Sequence, residues 1–283
     1  MHPAIRLQQS LISLENDMSN QLESTSIRYA ANLKWLFTEL PFLDRFAAAA
    51  EQSFKAVEFA SPYEFAPGIL RQALQREGLE QVLINTPAAA PGEEGANGFA
   101  CIPGQQLAFR DGMRRALDYA GELDCRLIHV MAGRVQREER YEAAEATFRE
   151  NPAWAVDAAK GTGIRCLIEC INQVDVPGFF LRNLKQTADF INESGTNQVG
   201  LLFDVYHCRM NLGDVIDAYQ ALQPLIAHIQ FADTPGRHEP GTGDIPWAAL
   251  RELIERCGYK GWVGCEYRPQ VSTVAGLGWR AEI

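Results

Sequence analysis

Residues 165–204 read RCLIECINQVDVPGFFLRNLKQTADFINESGTNQVGLLFD, and this stretch decides the fold. An apolar run, RCLIE, ends in an acid at Glu169; a longer segment follows; a second apolar run, VGLLFD, ends in another acid at Asp204. Short apolar runs alternating with longer helix-period segments are the mark of repeated βα units around a parallel sheet.

The same alternation extends in both directions from Ser26 onward and yields eight candidate strands: 27–32, 56–59, 82–85, 126–132, 165–169, 199–204, 226–232 and 262–266. The intervening helices show their period directly. Phe109, Met113, Ala116, Leu117 and Ala120 form one apolar face, and Trp247, Leu250, Ile254 and Cys257 form another, with Gly258 ending that helix. Eight units suit a closed barrel better than an open doubly wound sheet, and no G-x-G-x-x-G follows the first strand. The expected fold is a single α/β domain, a (β/α)8 TIM barrel over residues 27–283, with a short N-terminal extension at residues 1–26. The chain's 283 residues, 47% of them apolar, suffice for one sizeable core.

In the extension, Leu7, Leu11, Ile12 and Leu14 are interrupted by Arg6, Glu15 and Asp17, too often for a signal peptide. It reads as a helical or mobile segment outside the barrel. Residues 86–105, TPAAAPGEEGANGFACIPGQ, are too rich in Gly, Pro and Ala to continue a helix and long for a βα connection. They form either a lid over the barrel mouth or a passive surface insertion.

A formal charge of −10 argues against a sequence-independent grip on nucleic acid, which needs many cations against phosphates. No stretch is long and apolar enough to span a membrane. Seven cysteines, scattered and without a CxxC pair, point to a reducing cytoplasm. Small molecules are the expected partners, and a homo-oligomer is left open.

In such barrels the reactive groups stand at the C-terminal ends of the strands. Four consecutive strands carry polar candidates there: CLIE delivers Glu169, LLFD delivers Asp204, AHIQFAD offers Gln230 and WVGCE delivers Glu266. Three carboxylates converging on one pore mouth need a compensating cation, because an unpaired buried charge is costly. Oxygen-only ligation favours Mg2+ or Mn2+ over Zn2+. The alternative is that these acids cap helix N-termini or pair with arginines.

His207 follows Asp204 by three residues and stands on the same loop mouth. After strand seven, ADTPGRHEPGTGDIPW presents Arg237, His238 and Glu239 at the rim. Arg237 either binds an anionic substrate, or Arg237 and Glu239 pair with each other or with neighbours and hold the loop shape. Arg268 and Arg134 are further cations on this face, whereas His129 and His228 read as structural.

Taken together, YAANLKWLFTELPFLDRF, AVEFASPYEF, ACIPGQ, ECIN with VPGFFL, FDVYH, ADTPGRHEPGTGDI and GWVGCEYRPQ resemble the hydroxypyruvate isomerases of the xylose-isomerase-like barrel superfamily. The resemblance implies that Glu169, Asp204, Gln230 and Glu266 are metal ligands and that Glu169 and Glu266 are also the acid/base pair; His207, Arg237 and Arg268, by their place at the mouth, are the substrate-binding candidates. It implies interconversion of hydroxypyruvate and tartronate semialdehyde (2-hydroxy-3-oxopropanoate) through an enediolate, with proton transfer between adjacent carbons. The chain departs from the family pattern at Cys170, where proline is common, and at Arg268, where lysine is common. Alternatives are a 2-oxo-tetronate isomerase, which resembles this chain at HVMAG, GRHEP and GCEYRP, although VPGFFL and PGTGDI favour hydroxypyruvate; a related epimerase; and a sugar-acid binding protein without activity.

Overall fold

The computed structural model describes residues 27–137, 140–211 and 213–282, so the expected extension at residues 1–26 lies outside the described residues. All strands pair in parallel: β1 (Arg28–Asn32), β2 (Ala56–Glu58), β3 (Glu80–Gln81), β4 (Leu83–Asn85), β5 (Leu127–His129), β6 (Arg165–Glu169), β7 (Val199–Asp204), β8 (Ile226–Phe231) and β9 (Trp262–Cys265). Their order is β3-β2-β1-β9-β8-β7-β6-β5-β4.

The expected third strand, 82–85, is longer and in two parts. β3 pairs with β2 and β4 pairs with β5, with Val82 between them donating its N–H to Val57 O at 2.9 Å. Pairing therefore passes from one neighbour to the other at Val82, and the sheet closes into a barrel at that strand. The fourth expected strand shrinks to Leu127–His129, because the chain beyond it turns to meet the 86–105 loop, with Cys101 N bonded to Ala132 O.

Strand alternation sorts the residues into two cores. Ala31, Val57, Ile168, Phe203 and Ile229 belong to the large cluster between sheet and helices. Ala30, Ala56, Val82, Leu83, Leu167 and Leu202 form a smaller cluster in the barrel interior. Two residues beyond four of these interior positions come Asn32, Glu58, Glu169 and Asp204, all buried. A period of two thus stacks a polar layer directly above an apolar plug, and this is what places the site.

The helix Gln106–Glu122 buries Phe109, Met113, Ala116 and Ala120 as its period requires. The helix Trp247–Arg256 buries Leu250, Leu253 and Ile254, but Cys257 is exposed. It falls at the C-cap, where Gly258 at φ 68° turns the chain away, so the apolar face stops one turn earlier than expected. All seven cysteines are free, and six are buried. Among the described residues no helix is long and apolar enough to cross a membrane.

Candidate active site

Glu169 and Asp204 end β6 and β7, Gln230 lies within β8 in register with Asp204, and Glu266 immediately follows β9. Ligand atoms of Glu169, Asp204 and His207 lie within 4.8 Å of one another. A cavity of about 160 Å3 opens here, lined by Glu169, Gln230 and Glu266 together with His129, His207 and Arg237. That is far below the several hundred Å3 of a drug-sized pocket and suits a ligand of few atoms.

Asp204 divides its carboxylate. Oδ1 accepts the backbone N–H groups of Tyr206 and His207, capping the helix Val205–Met210, while Oδ2 faces the site. The capping alternative weighed for these acids therefore holds for one oxygen of one of them. Arg237 reaches the other: its Nη2 lies 3.2 Å from Asp204 Oδ2 and 2.9 Å from Glu266 Oε2. The guanidinium sits between the rings of Trp35 and Tyr206, 4.8 Å from each centroid. Trp35 also donates its Nε1–H to Glu266 Oε1 at 3.1 Å. Arg237 therefore does not pair with Glu239, which instead accepts from the backbone of Gln270.

In the same polar layer Glu58, 1% exposed, lines the cavity and gathers three donors. Asn32 Nδ2 donates to its Oε1 at 2.9 Å, Gln230 Nε2 donates to the same oxygen at 2.6 Å, and His228 Nε2 lies 2.6 Å from Oε2. Because Gln230 spends its amide nitrogen on Glu58, its carbonyl oxygen is the atom left for the site, and it accepts from no group among the described residues. Gly264 is required here by close approach: a Cβ on it would fall 2.3 Å from Glu58 Oε1.

Burial raises the pKa of Glu169 well above the usual carboxylate range, and the charges of Asp204 and Glu266 push it the same way. Burial likewise raises Glu266 and pushes Asp204 up to about 6, with Arg237 opposing both shifts. His129 and His207 are pushed down to about 3 chiefly by burial, which holds both rings neutral. Four acidic side chains, Glu58, Glu169, Asp204 and Glu266, thus cluster around one largely buried guanidinium, with Lys34 as the further cation at the cavity wall. The donor set (carboxylate oxygens and a free amide oxygen) fits a hard divalent cation that would offset this excess of acidic groups.

Residues 46–283 match the xylose isomerase-like TIM barrel family. The chain is 44% identical over 254 residues to 2-oxo-tetronate isomerase of Cupriavidus necator, covering 89% of this chain and 96% of that protein. The chain belongs to the xylose isomerase-like TIM barrel family. Within this family it is also 40% identical over 255 residues to hydroxypyruvate isomerase of Escherichia coli, covering 89% of this chain and 98% of that protein. The crystal structure of an AP endonuclease, family 2, from Brucella melitensis superposes with a TM-score of 0.86 at 38% identity, covering 90% of this chain and 98% of that one. Family membership at this level makes the chain an enzyme of the isomerase type.

The family fold brings together Glu169, Asp204, Gln230, Glu266, His207 and Arg237. Arg268 stands apart: it packs over the outer part of Trp35, 5.7 Å from the ring centroid, and does not line the cavity. Arg134 donates to Pro177 O and lines a separate pocket. His129 lines the cavity with Nδ1 3.5 Å from Glu169 Oε2, whereas His228 is fully buried beneath it. Asn97 brings the 86–105 loop to the cavity wall. Four contributors were not singled out from sequence: Glu58, Lys34, Trp35 and Asn172. Glu58 ends the run AVE on an inward position, the same signal that marked Glu169, and was legible on that ground.

Proposed function

We propose that this enzyme is a metal-dependent isomerase of short hydroxy- and oxo-acids, interconverting hydroxypyruvate and 2-hydroxy-3-oxopropanoate by proton transfer between adjacent carbons. The observation that carries this reading is the convergence of Glu169, Gln230 and Glu266 on the wall of one small cavity, with Asp204 joined to it through His207 and Arg237 at 3.5 and 3.2 Å. Glu169, Asp204, Gln230 and Glu266 would hold Mg2+ or Mn2+. When bound, the cation supplies Lewis-acid polarisation of the substrate oxygens.

The chain's own groups account for the remaining needs. Glu169 and Glu266, buried and raised in pKa, are suited to take a proton from one carbon and return one to its neighbour. Arg237, locked between Trp35 and Tyr206, holds Glu266 in place and offers remaining donors to an anionic substrate. His207 faces Glu169 and Asp204 from the opposite side, at 3.8 and 3.5 Å. Lys34 lines the cavity and acts on Glu266 through its charge, so its ammonium group is placed to meet a substrate carboxylate. The acidic net charge and the small cavity favour a small-molecule substrate over nucleic acid, and the free thiols suit a reducing compartment.

A second reading, 2-oxo-tetronate isomerase, is favoured by the higher identity to the Cupriavidus necator protein, 44% against 40%. Side-by-side kinetics on hydroxypyruvate and 2-oxo-tetronate, after EDTA treatment and again after Mn2+ or Mg2+ add-back, test both. A preference for the four-carbon acid selects the second reading, and turnover indifferent to EDTA removes the metal from either.

A further inference from the structure

The loop that follows Glu169 reaches across to the loop that follows Asp204, at Asn172 and His207. Asn172 is fully buried. Its Oδ1 accepts two backbone N–H groups, from Val174 at 3.0 Å and Asp175 at 2.8 Å. Its Nδ2 lies 3.0 Å from Asp175 Oδ2 and 2.6 Å from His207 Nδ1. Backbone N–H groups only donate and an ionised carboxylate only accepts, so the orientation of this amide is over-determined. Rotating it by half a turn would set amide hydrogens against two N–H donors and an oxygen against the Asp175 carboxylate.

The consequence passes to the imidazole. With an amide N–H at 2.6 Å, and the Asn172 backbone N–H also approaching at 3.5 Å, His207 Nδ1 must present its lone pair. The ring proton of the neutral imidazole then sits on Nε2, the nitrogen 3.5 Å from Asp204 Oδ2 and 3.8 Å from Glu169 Oε1. We propose that Asn172 is a positioning residue that fixes His207 as an Nε2–H donor toward the site, and so keeps the imidazole out of the metal's ligand set. Proximity alone would group His207 with Glu169 and Asp204 as a three-residue metal site. The hydrogen-bond polarity separates them, because a nitrogen carrying a proton has no lone pair for a cation. His207 is left as a donor to a substrate oxygen, and the segment that carries Glu169 also sets its polarity. The role assigned to the donor rests on the isomerase reading above, whereas the tautomer does not.

The test uses the full-length protein labelled with 15N-histidine, first metal-free and then with Mg2+, at neutral pH. The His207 resonances are assigned by their disappearance in His207→Gln. The expected spectrum shows a protonated Nε2 and an unprotonated Nδ1, unchanged in type by Mg2+. Asn172→Asp keeps an acceptor for the Val174 and Asp175 N–H groups and replaces the donor at Nδ1 with an acceptor, so the His207 proton should move to Nδ1 and turnover should fall at least tenfold. An Nδ1–H or doubly protonated His207 in the wild type overturns the proposal, as does a wild-type Nε2 that loses its proton to Mg2+, or an Asn172→Asp variant that keeps Nε2–H. The wild-type spectrum decides even if the variant does not fold. Failure of metal add-back with an Nε2–H His207 would count against the isomerase reading and leave the tautomer assignment standing.

Discussion

Arg237 Nη2 lies 2.9 Å from Glu266 Oε2, so a residue of the loop after β8 is bonded to the carboxylate that follows β9. The same nitrogen reaches Asp204 Oδ2 at 3.2 Å, which makes one guanidinium the cross-link between two barrel loops. Both side chains of the Arg237–Glu266 pair are 15% exposed. Breaking a buried pair is costly because the partner charge stays behind. Arg237→Met should therefore destabilise the EDTA-treated protein by about 3 kcal/mol, the low end of that cost. Mn2+ should recover part of the loss by taking over the charge. Urea unfolding with and without Mn2+ measures both effects, and an unchanged midpoint in EDTA would show that the cross-link carries no stability.

Glu266→Gln keeps the shape of the side chain and its hydrogen bond from Trp35 while removing the base. Turnover should fall by roughly 10^2- to 10^4-fold, the usual contribution of a positioned general acid or base. Wash-in of solvent deuterium should fall in parallel. A variant with wild-type exchange would remove Glu266 from the proton transfer.

Metal affinity should depend on pH with a definite sign. Burial pushes Asp204 up to about 6, so below that value the metal-free site holds a proton that a cation must displace. The buried Glu169 and Glu266 are shifted in the same direction. Mn2+ affinity should weaken as pH falls through 6, by about tenfold per pH unit for each displaced proton, and level off at higher pH. Calorimetry at pH 5 to 8 in buffers of different ionisation enthalpy counts the protons released. A flat profile would contradict the buried-carboxylate account.

Glu58 holds Asn32, His228 and Gln230 in the barrel interior. Glu58→Ala leaves three buried donors unpaired, each lost bond worth about 1–3 kcal/mol, whereas Glu58→Gln should cost less because it retains an acceptor oxygen. The two variants, compared by urea unfolding, should rank in that order. Mn2+ affinity should fall in Glu58→Ala, where the Gln230 amide loses its anchor, and less in Glu58→Gln.

Lys34→Met removes a cation of the cavity wall that acts on Glu266 through its charge. A charge-assisted hydrogen bond is worth about 1.5–3 kcal/mol, so KM for the acid substrate should rise roughly tenfold or more while kcat changes little. A fall in kcat with constant KM would assign the lysine to a later step.

Much of this was present in the linear chain. Strand alternation is a local property, and the runs RCLIE and VGLLFD carry the period and the terminal acid in consecutive residues. The inward layer of Glu169, Asp204, Gln230 and Glu266 was therefore readable before any contact was known. Glu58 obeys the same rule, but its strand is three residues long, and its partners His228 and Gln230 lie 170 and 172 residues away. Trp35 reaches Glu266 across 231 residues, and nothing near either of them in sequence announces the other.

The sequence by itself determined the barrel and the strand ends that bear inward oxygen-bearing side chains, because side-chain direction along a strand follows from the covalent geometry of neighbouring residues. Tertiary structure alone decided that Arg237 rather than Arg268 enters the acid cluster, that Gln230 turns its oxygen to the site, and that His207 presents a proton there. Each of these is a choice of hydrogen-bond polarity or partner, set by groups that only the closed barrel brings within 3 to 4 Å of each other.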